Sequence, residues 1–240
     1  MGICKSKNIE NNNENQINSL RNVRRYSDDI KHTFIPFDMT LKALKSLCKF
    51  NIKEKKGTYF GNGFFLNIDN SKKYLITNYH TISENTTNEE IEIEIYNQKK
   101  MKLNLNNHNI KYFPKSKNIT IIEIKTTDII YDEIYFLNYD KNKHKNGYEI
   151  YKNLDIFLIG HSPGEDKIIA SGRIININGY EFEHNCLTDS IFSLCPIMLL
   201  NTKMNNDIQV IGINKEAVNI KSVNRGIFIG EIFSNNELDY

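Results

Sequence analysis

Four cysteines are all that the 240 residues carry, and no two of them form a Cys-x-x-Cys pair. Cys4, Cys48, Cys186 and Cys195 stand too far apart to resemble a zinc site or a disulfide framework, so a reduced setting without metal is expected. No stretch approaches the roughly 20 apolar residues of a membrane span, and the N-terminus has no apolar core of a secretory signal. Neither sign of charge dominates, at a net +2, which gives no footprint for nucleic acid. The tyrosines and phenylalanines are spread along the whole chain and form no ladder on which bases would stack. No repeat of solenoid length occurs. Helical periodicity is scarce, which argues against an α/β fold, and no motif asks for a cofactor.

What is present begins at the first residue. Met1-Gly2-Ile3-Cys4-Lys5-Ser6 fits the N-myristoylation pattern, a Gly behind the initiator Met and a Ser at the sixth position. One myristoyl chain holds a membrane only marginally, so a second signal is needed; a palmitoyl group on Cys4, with Lys5 and Lys7 against anionic headgroups, would supply it. Residues 1–25 carry five Lys and Arg against two Glu. The expected location is cytoplasmic, peripheral on the inner membrane surface through Gly2 and Cys4. Residues 8–30 are polar, Asn-rich and without apolar period, so residues 1–38 read as a flexible tether and 39–240 as the folded part.

Within the folded part, Thr40 to Leu44 reads as a short helix capped by Thr40. Period-2 segments then follow one another: Cys48–Lys53, Tyr59–Ile68 around a Gly61-Asn62-Gly63 turn, Lys73–Thr77, Ile91–Tyr96 and Ile119–Ile124. They continue with Asp155–Ile159, Ile168–Ile177, Ile197–Leu200, Ile208–Ile213 and Ile227–Ile232. Short strands at this spacing, separated by polar turns such as Asp69-Asn70-Ser71 and Met204-Asn205-Asn206, predict an all-β sandwich or barrel pair.

Three segments carry chemistry when taken together. Leu75-Ile76-Thr77-Asn78-Tyr79-His80 puts a His directly behind an apolar strand. Ile191-Phe192-Ser193-Leu194-Cys195-Pro196 puts a Ser in a loop before another, and Val210-Ile211-Gly212-Ile213-Asn214 ends a strand near a Gly. With Gly61-Asn62-Gly63-Phe64 upstream and Gly160-His161-Ser162-Pro163-Gly164 read as a turn between them, this order resembles the chymotrypsin-like (trypsin-like) serine protease superfamily. The resemblance runs from about Cys48 to Ile232 and implies two six-stranded antiparallel β-barrels. It also implies a cleft for a peptide or protein substrate, with His80 as base and Ser193 as nucleophile.

The resemblance exposes departures as well. The position of the family's carboxylate is Asn118, which begins Asn118-Ile119-Thr120-Ile121-Ile122. A carboxylate there fixes the imidazole tautomer and stabilises imidazolium, and changing it to Asn in a trypsin-type enzyme lowers turnover by about 10⁴. The oxyanion hole falls to the backbone N–H groups of Ile191 and Ser193, with a β-branched residue in place of Gly, and Leu194 replaces a second Gly. Glu123 and Asp128 are candidate replacements for the missing acid. Leu187 and Asn214 fall at the substrate pocket, Leu187 near its base.

Cys195, directly before Pro196, reads as a buried and inert thiol. His161 and His184 read as solvated or structural histidines in turns. Two functions stay open. One is a trypsin-like serine endopeptidase of weakened activity. The other is an inactive pseudoprotease that binds peptides or proteins from a membrane tether.

Overall fold

In a computed structural model the described residues are 23–26, 35–54, 57–68, 72–86, 90–113, 117–140, 147–161, 167–187, 193–200, 208–218 and 223–233. The positions expected to be lipidated, Gly2 and Cys4, lie outside them, as do Ile191 and the turns at 69–71 and 204–206.

Helix α1 (Phe37–Lys45) starts earlier than Thr40. Pro36, with φ −56°, stands at the cap position, because proline sets the entry angle and has no N–H to leave unpaired. Thr40 is instead inside the first turn, where its backbone N–H and its Oγ1 both donate to the Pro36 carbonyl. Met39, Thr40, Ala43 and Leu44 recur at helical spacing and are buried on one face.

The rest of the chain is almost all strand, because its apolar residues alternate rather than recur every third or fourth position. In β5 (Glu90–Ile95) the three isoleucines are buried and the glutamates lie outside. Lysines on the paired β6 (Lys99–Asn104) meet those glutamates across the ladder, Lys102 to Glu90 at 2.6 Å and Lys100 to Glu92 at 3.4 Å.

The first half of the chain adds β2 (Leu47–Glu54), β3 (Gly57–Asn67), β4 (Lys73–Asn78), β7 (Ile110–Phe113) and β8 (Ile119–Glu123). These pair antiparallel in the order β6–β5–β2–β3–β4–β8–β7. Phe50, Phe65, Leu75, Ile93 and Ile122 form the core they enclose.

The Gly61-Asn62-Gly63 segment is no turn. It runs straight through β3, opposite Phe50 to Cys48, and the hairpin reverses between Glu54 and Gly57. The glycines are there for close approach: a Cβ on Gly63 would fall 2.8 Å from the Ile76 carbonyl and 2.9 Å from the Phe50 ring.

The second half is a closed six-stranded barrel. Its strands are β10 (Asp155–His161), β11 (Lys167–Asn178), β12 (Glu181–His184), β13 (Pro196–Leu199), β14 (Gln209–Val218) and β15 (Val223–Phe228). The ring runs β13–β10–β11–β12–β15–β14 and returns to β13, so every strand has a neighbour on each side. Gly160 and His161, expected in a turn, end β10 opposite Ile168 and Lys167. The expected strand Ile227–Ile232 ends at Phe228, and Gly230–Phe233 forms the short helix α2.

The halves are joined by β9 (Leu137–Tyr139), which pairs parallel with β3 on one side and with β14 on the other. Phe64, Ile76 and Ile121 from the first half interlock there with Phe157, Val210 and Ile227 from the second, under Leu44 of α1. One further strand, β1 (Val23–Tyr26), pairs parallel with Lys167–Ala170 of β11. Those four residues, expected to be part of the tether, therefore belong to the sheet.

Candidate functional site

The site lies where β4 ends and β8 begins, beside the middle of β14, at the junction of the halves. β4 and β8 pair with Asn78 opposite Ile119, which sets the residues following β4 beside the residue preceding β8. The Tyr79 N–H donates to the Asn118 carbonyl at 3.1 Å, and the N–H groups of Thr81 and Ile82 close back on the Asn78 carbonyl at 3.0 and 3.1 Å. Asn118 has φ 53°, a left-handed conformation that Asn tolerates better than most residues.

This geometry brings His80 and Asn118 together, as the sequence implied. The His80 backbone N–H donates to Asn118 Oδ1 at 3.3 Å. The ring Nδ1 lies 3.3 Å from the same Oδ1 and 3.0 Å from Nδ2, and Nδ2 also faces Asn78 Oδ1 at 3.5 Å.

Neither candidate substitute acid reaches His80. Glu123 is at the far end of β8, five residues from Asn118 at about 3.3 Å each, and accepts from Asn109 Nδ2 at 2.5 Å. Asp128 accepts from the Lys125 N–H at 2.7 Å and pairs with His108 Nε2 at 2.9 Å.

Ser193 enters from the turn before β13. Leu194 behind it has φ 66°, a region costly for a branched side chain, yet it is buried in the core between the halves. Two backbone bonds hold the turn: the Leu194 N–H donates to the Asn214 carbonyl at 2.7 Å, and the Asn214 N–H to the Cys195 carbonyl at 3.0 Å. Ser193 Oγ donates to the Lys215 carbonyl at 3.5 Å, and no hydrogen bond among the described residues joins it to His80. The register of β14 against β15 shifts between Asn214 and Glu216, a bulge that re-aims the strand beside Ser193.

Asn78, Asn118, Ser193 and Asn214 line one cavity of about 170 Å³, together with Lys117 and Lys215. Leu187, expected near the base of the pocket, is half-buried after β12 and is not among the lining residues.

The sequence reading missed His184. Expected in a turn, it instead closes β12, where alternation puts it on the inward face with Phe182. That alternation, Glu181-Phe182-Glu183-His184, is the signal that would have placed it. Its Nε2 lies 3.0 Å from Asn214 Oδ1, and its buried Nδ1 has no hydrogen-bond partner. Burial pushes its pKa down to about 4, against the opposing pull of the Asn214 bond, so the ring is neutral near pH 7 with Nε2–H as donor.

His161 is likewise held neutral, at about 3, by burial first and by the charges of Lys49 and Lys167. Cys195 is 3 % exposed and packs in the core of the closed barrel. Cys48 and Cys186 are also buried, and desolvation raises both thiols well above the ordinary range, which makes them unreactive. No cluster of three His, Cys, Asp or Glu fit for a metal occurs among the described residues.

The chain is mostly β, with one closed barrel, a second strand system packed against it and a cavity at their junction, and it shares this fold with a solved structure. Among solved structures it is similar to the crystal structure of Rv3671c protease in an inactive form, with a TM-score of 0.59 and 14 % identity over 88 % of this chain and 97 % of that one. No protein-family model matches the chain, and no curated protein matches it.

Proposed function

We propose that this chain is a trypsin-like serine endopeptidase of weakened activity, in which the β6-to-β7 strand system is the first of two barrels and the cavity at the junction receives a peptide segment. The observation that carries this reading is the meeting of His80 with Asn118 on one side of the junction and the placement of Asn118, Ser193 and Asn214 around one cavity. In this reading His80 takes the Ser193 proton through Nε2 and Ser193 Oγ attacks the scissile carbonyl. The proton then passes to the leaving amine and water releases the acyl group.

Asn118 orients the ring but brings no charge to stabilise imidazolium. The backbone N–H groups of Ser193 and Ile191 are assigned to the oxyanion, with Ile191 a poor substitute for Gly there. A second reading, a pseudoprotease that only binds peptides, is favoured by the Ser193 hydroxyl turning to the Lys215 carbonyl instead of to His80.

A serine-directed fluorophosphonate probe on wild type and on Ser193→Ala separates the two. Labelling of wild type alone supports an activated Ser193. Equal absence of labelling in two folded proteins supports the binding module. We further propose that Gly2 and Cys4 are acylated and hold the domain at the inner membrane surface, a reading that rests on the N-terminal motif.

A further inference from the structure

The cavity at the junction is lined by two ammonium groups and three side-chain amides, and by no carboxylate among its described residues. The two cations are not equivalent. Lys215 Nζ is held 2.8 Å from Glu181 Oε1, which cancels most of its field in the cavity. Lys117 has no carboxylate partner among the described residues; its Nζ lies 5.1 Å from the Phe113 ring centroid, a contact that brings no negative charge of its own. Lys117 directly precedes Asn118, whose left-handed backbone and bond to Tyr79 N–H fix this corner of the cavity.

We infer that the cavity selects peptide segments carrying an acidic side chain, which Lys117 meets; this rests on the peptide-binding reading of the same site. A carboxylate entering here exchanges water for an ammonium group and for amide N–H donors, while a lysine entering would meet the like charge of Lys117. The wall is half-buried, so the attraction is that of a partly exposed ion pair.

The test is binding of fluorescein-labelled hexapeptide pools, randomised except for a fixed Glu, Gln or Lys at the third position, measured by anisotropy with the full chain. The Glu pool binds about fivefold tighter than the Gln pool at low salt, and the gap closes as salt rises. Lys117→Gln brings the Glu pool to the level of the Gln pool, and Lys117→Arg keeps the preference. Lys99→Gln, an equal change of net charge at a distant surface ion pair, leaves the preference in place. Equal binding of the Glu and Gln pools to wild type, or a preference that survives in a folded Lys117→Gln, overturns the acid selection and leaves peptide binding standing. Binding of none of the pools overturns both.

Discussion

The ring Nδ1 of His80 is closer to the amide nitrogen of Asn118, at 3.0 Å, than to its oxygen, at 3.3 Å. The oxygen is already engaged by the His80 backbone N–H. An amide held this way donates from Nδ2 to the ring, which leaves the ring proton on Nε2, the nitrogen that should accept from Ser193. A carboxylate in the same place would accept from both the backbone N–H and Nδ1–H. Asn118→Asp therefore switches the His80 ring proton to Nδ1, read from ring ¹⁵N shifts, and speeds fluorophosphonate labelling of Ser193 at least tenfold. A wild-type ring already protonated on Nδ1 defeats this account of the weak base.

Acid sensitivity follows from His184. Its folded pKa, about 4, lies below the ordinary 6.5, so between those values the unfolded chain binds more protons than the folded one. Stability is therefore fully present above pH 6.5 and is lost as pH falls towards 4, by roughly 3 kcal/mol for this one group. His184→Gln keeps an N–H for Asn214 Oδ1 and removes the titration. Urea unfolding at pH 7, 5.5 and 4.5 should show a flatter pH dependence in the variant. Some slope remains, because His161, set beside Lys49 and Lys167, titrates in the same direction.

The sequence carried the fold wherever one face of a strand is apolar. Glu90 to Ile95 announces itself by strict alternation, whereas its partner Lys99–Asn104 buries only Met101 and Leu103 and was not recognised. The short strands β7 and β9 offer too few alternating residues to show a period, β12 shows only two cycles of one, and β1 is held by backbone pairing next to a polar tail. Glycine misled at Gly61 and Gly63, because the same residue marks a tight turn and a close approach of two chains. At the site, His80 and Asn118 were legible because each flanks an apolar strand. The bond from His184 to Asn214 spans 30 residues and was not.

The proposed anchor has a simple test. Gly2→Ala puts a methyl group beside the α-amine, which the acyl donor accepts only when it is unhindered, and it should move the protein from the membrane to the soluble fraction. Cys4→Ser should give an intermediate distribution, since a single myristoyl chain binds reversibly. Membrane retention of Gly2→Ala defeats the proposal.

Gly61 and Thr81 tie the His80 loop to the body of the first half. A Cβ on Gly61 would fall 2.2 Å from Thr81 Cγ2 and 2.6 Å from Thr81 Oγ1, and Thr81 is itself buried. Neither can yield freely. Gly61 sits in a strand paired to Phe50, and the Thr81 backbone N–H is bonded to the Asn78 carbonyl. Gly61→Ala should cost about 1–3 kcal/mol through overpacking. Thr81→Ala removes the two nearest atoms and leaves only its Cβ, 3.0 Å away, so the double variant should recover much of the loss. A double-mutant cycle by urea unfolding measures that coupling, expected at about 0.5–3 kcal/mol in the favourable direction for residues in direct contact. Because Thr81 follows His80, Gly61→Ala alone should also shift the His80 ring resonances, and the double variant should return them. Additive energies with unmoved His80 resonances would mean that the loop is held by its backbone bonds and not by this contact.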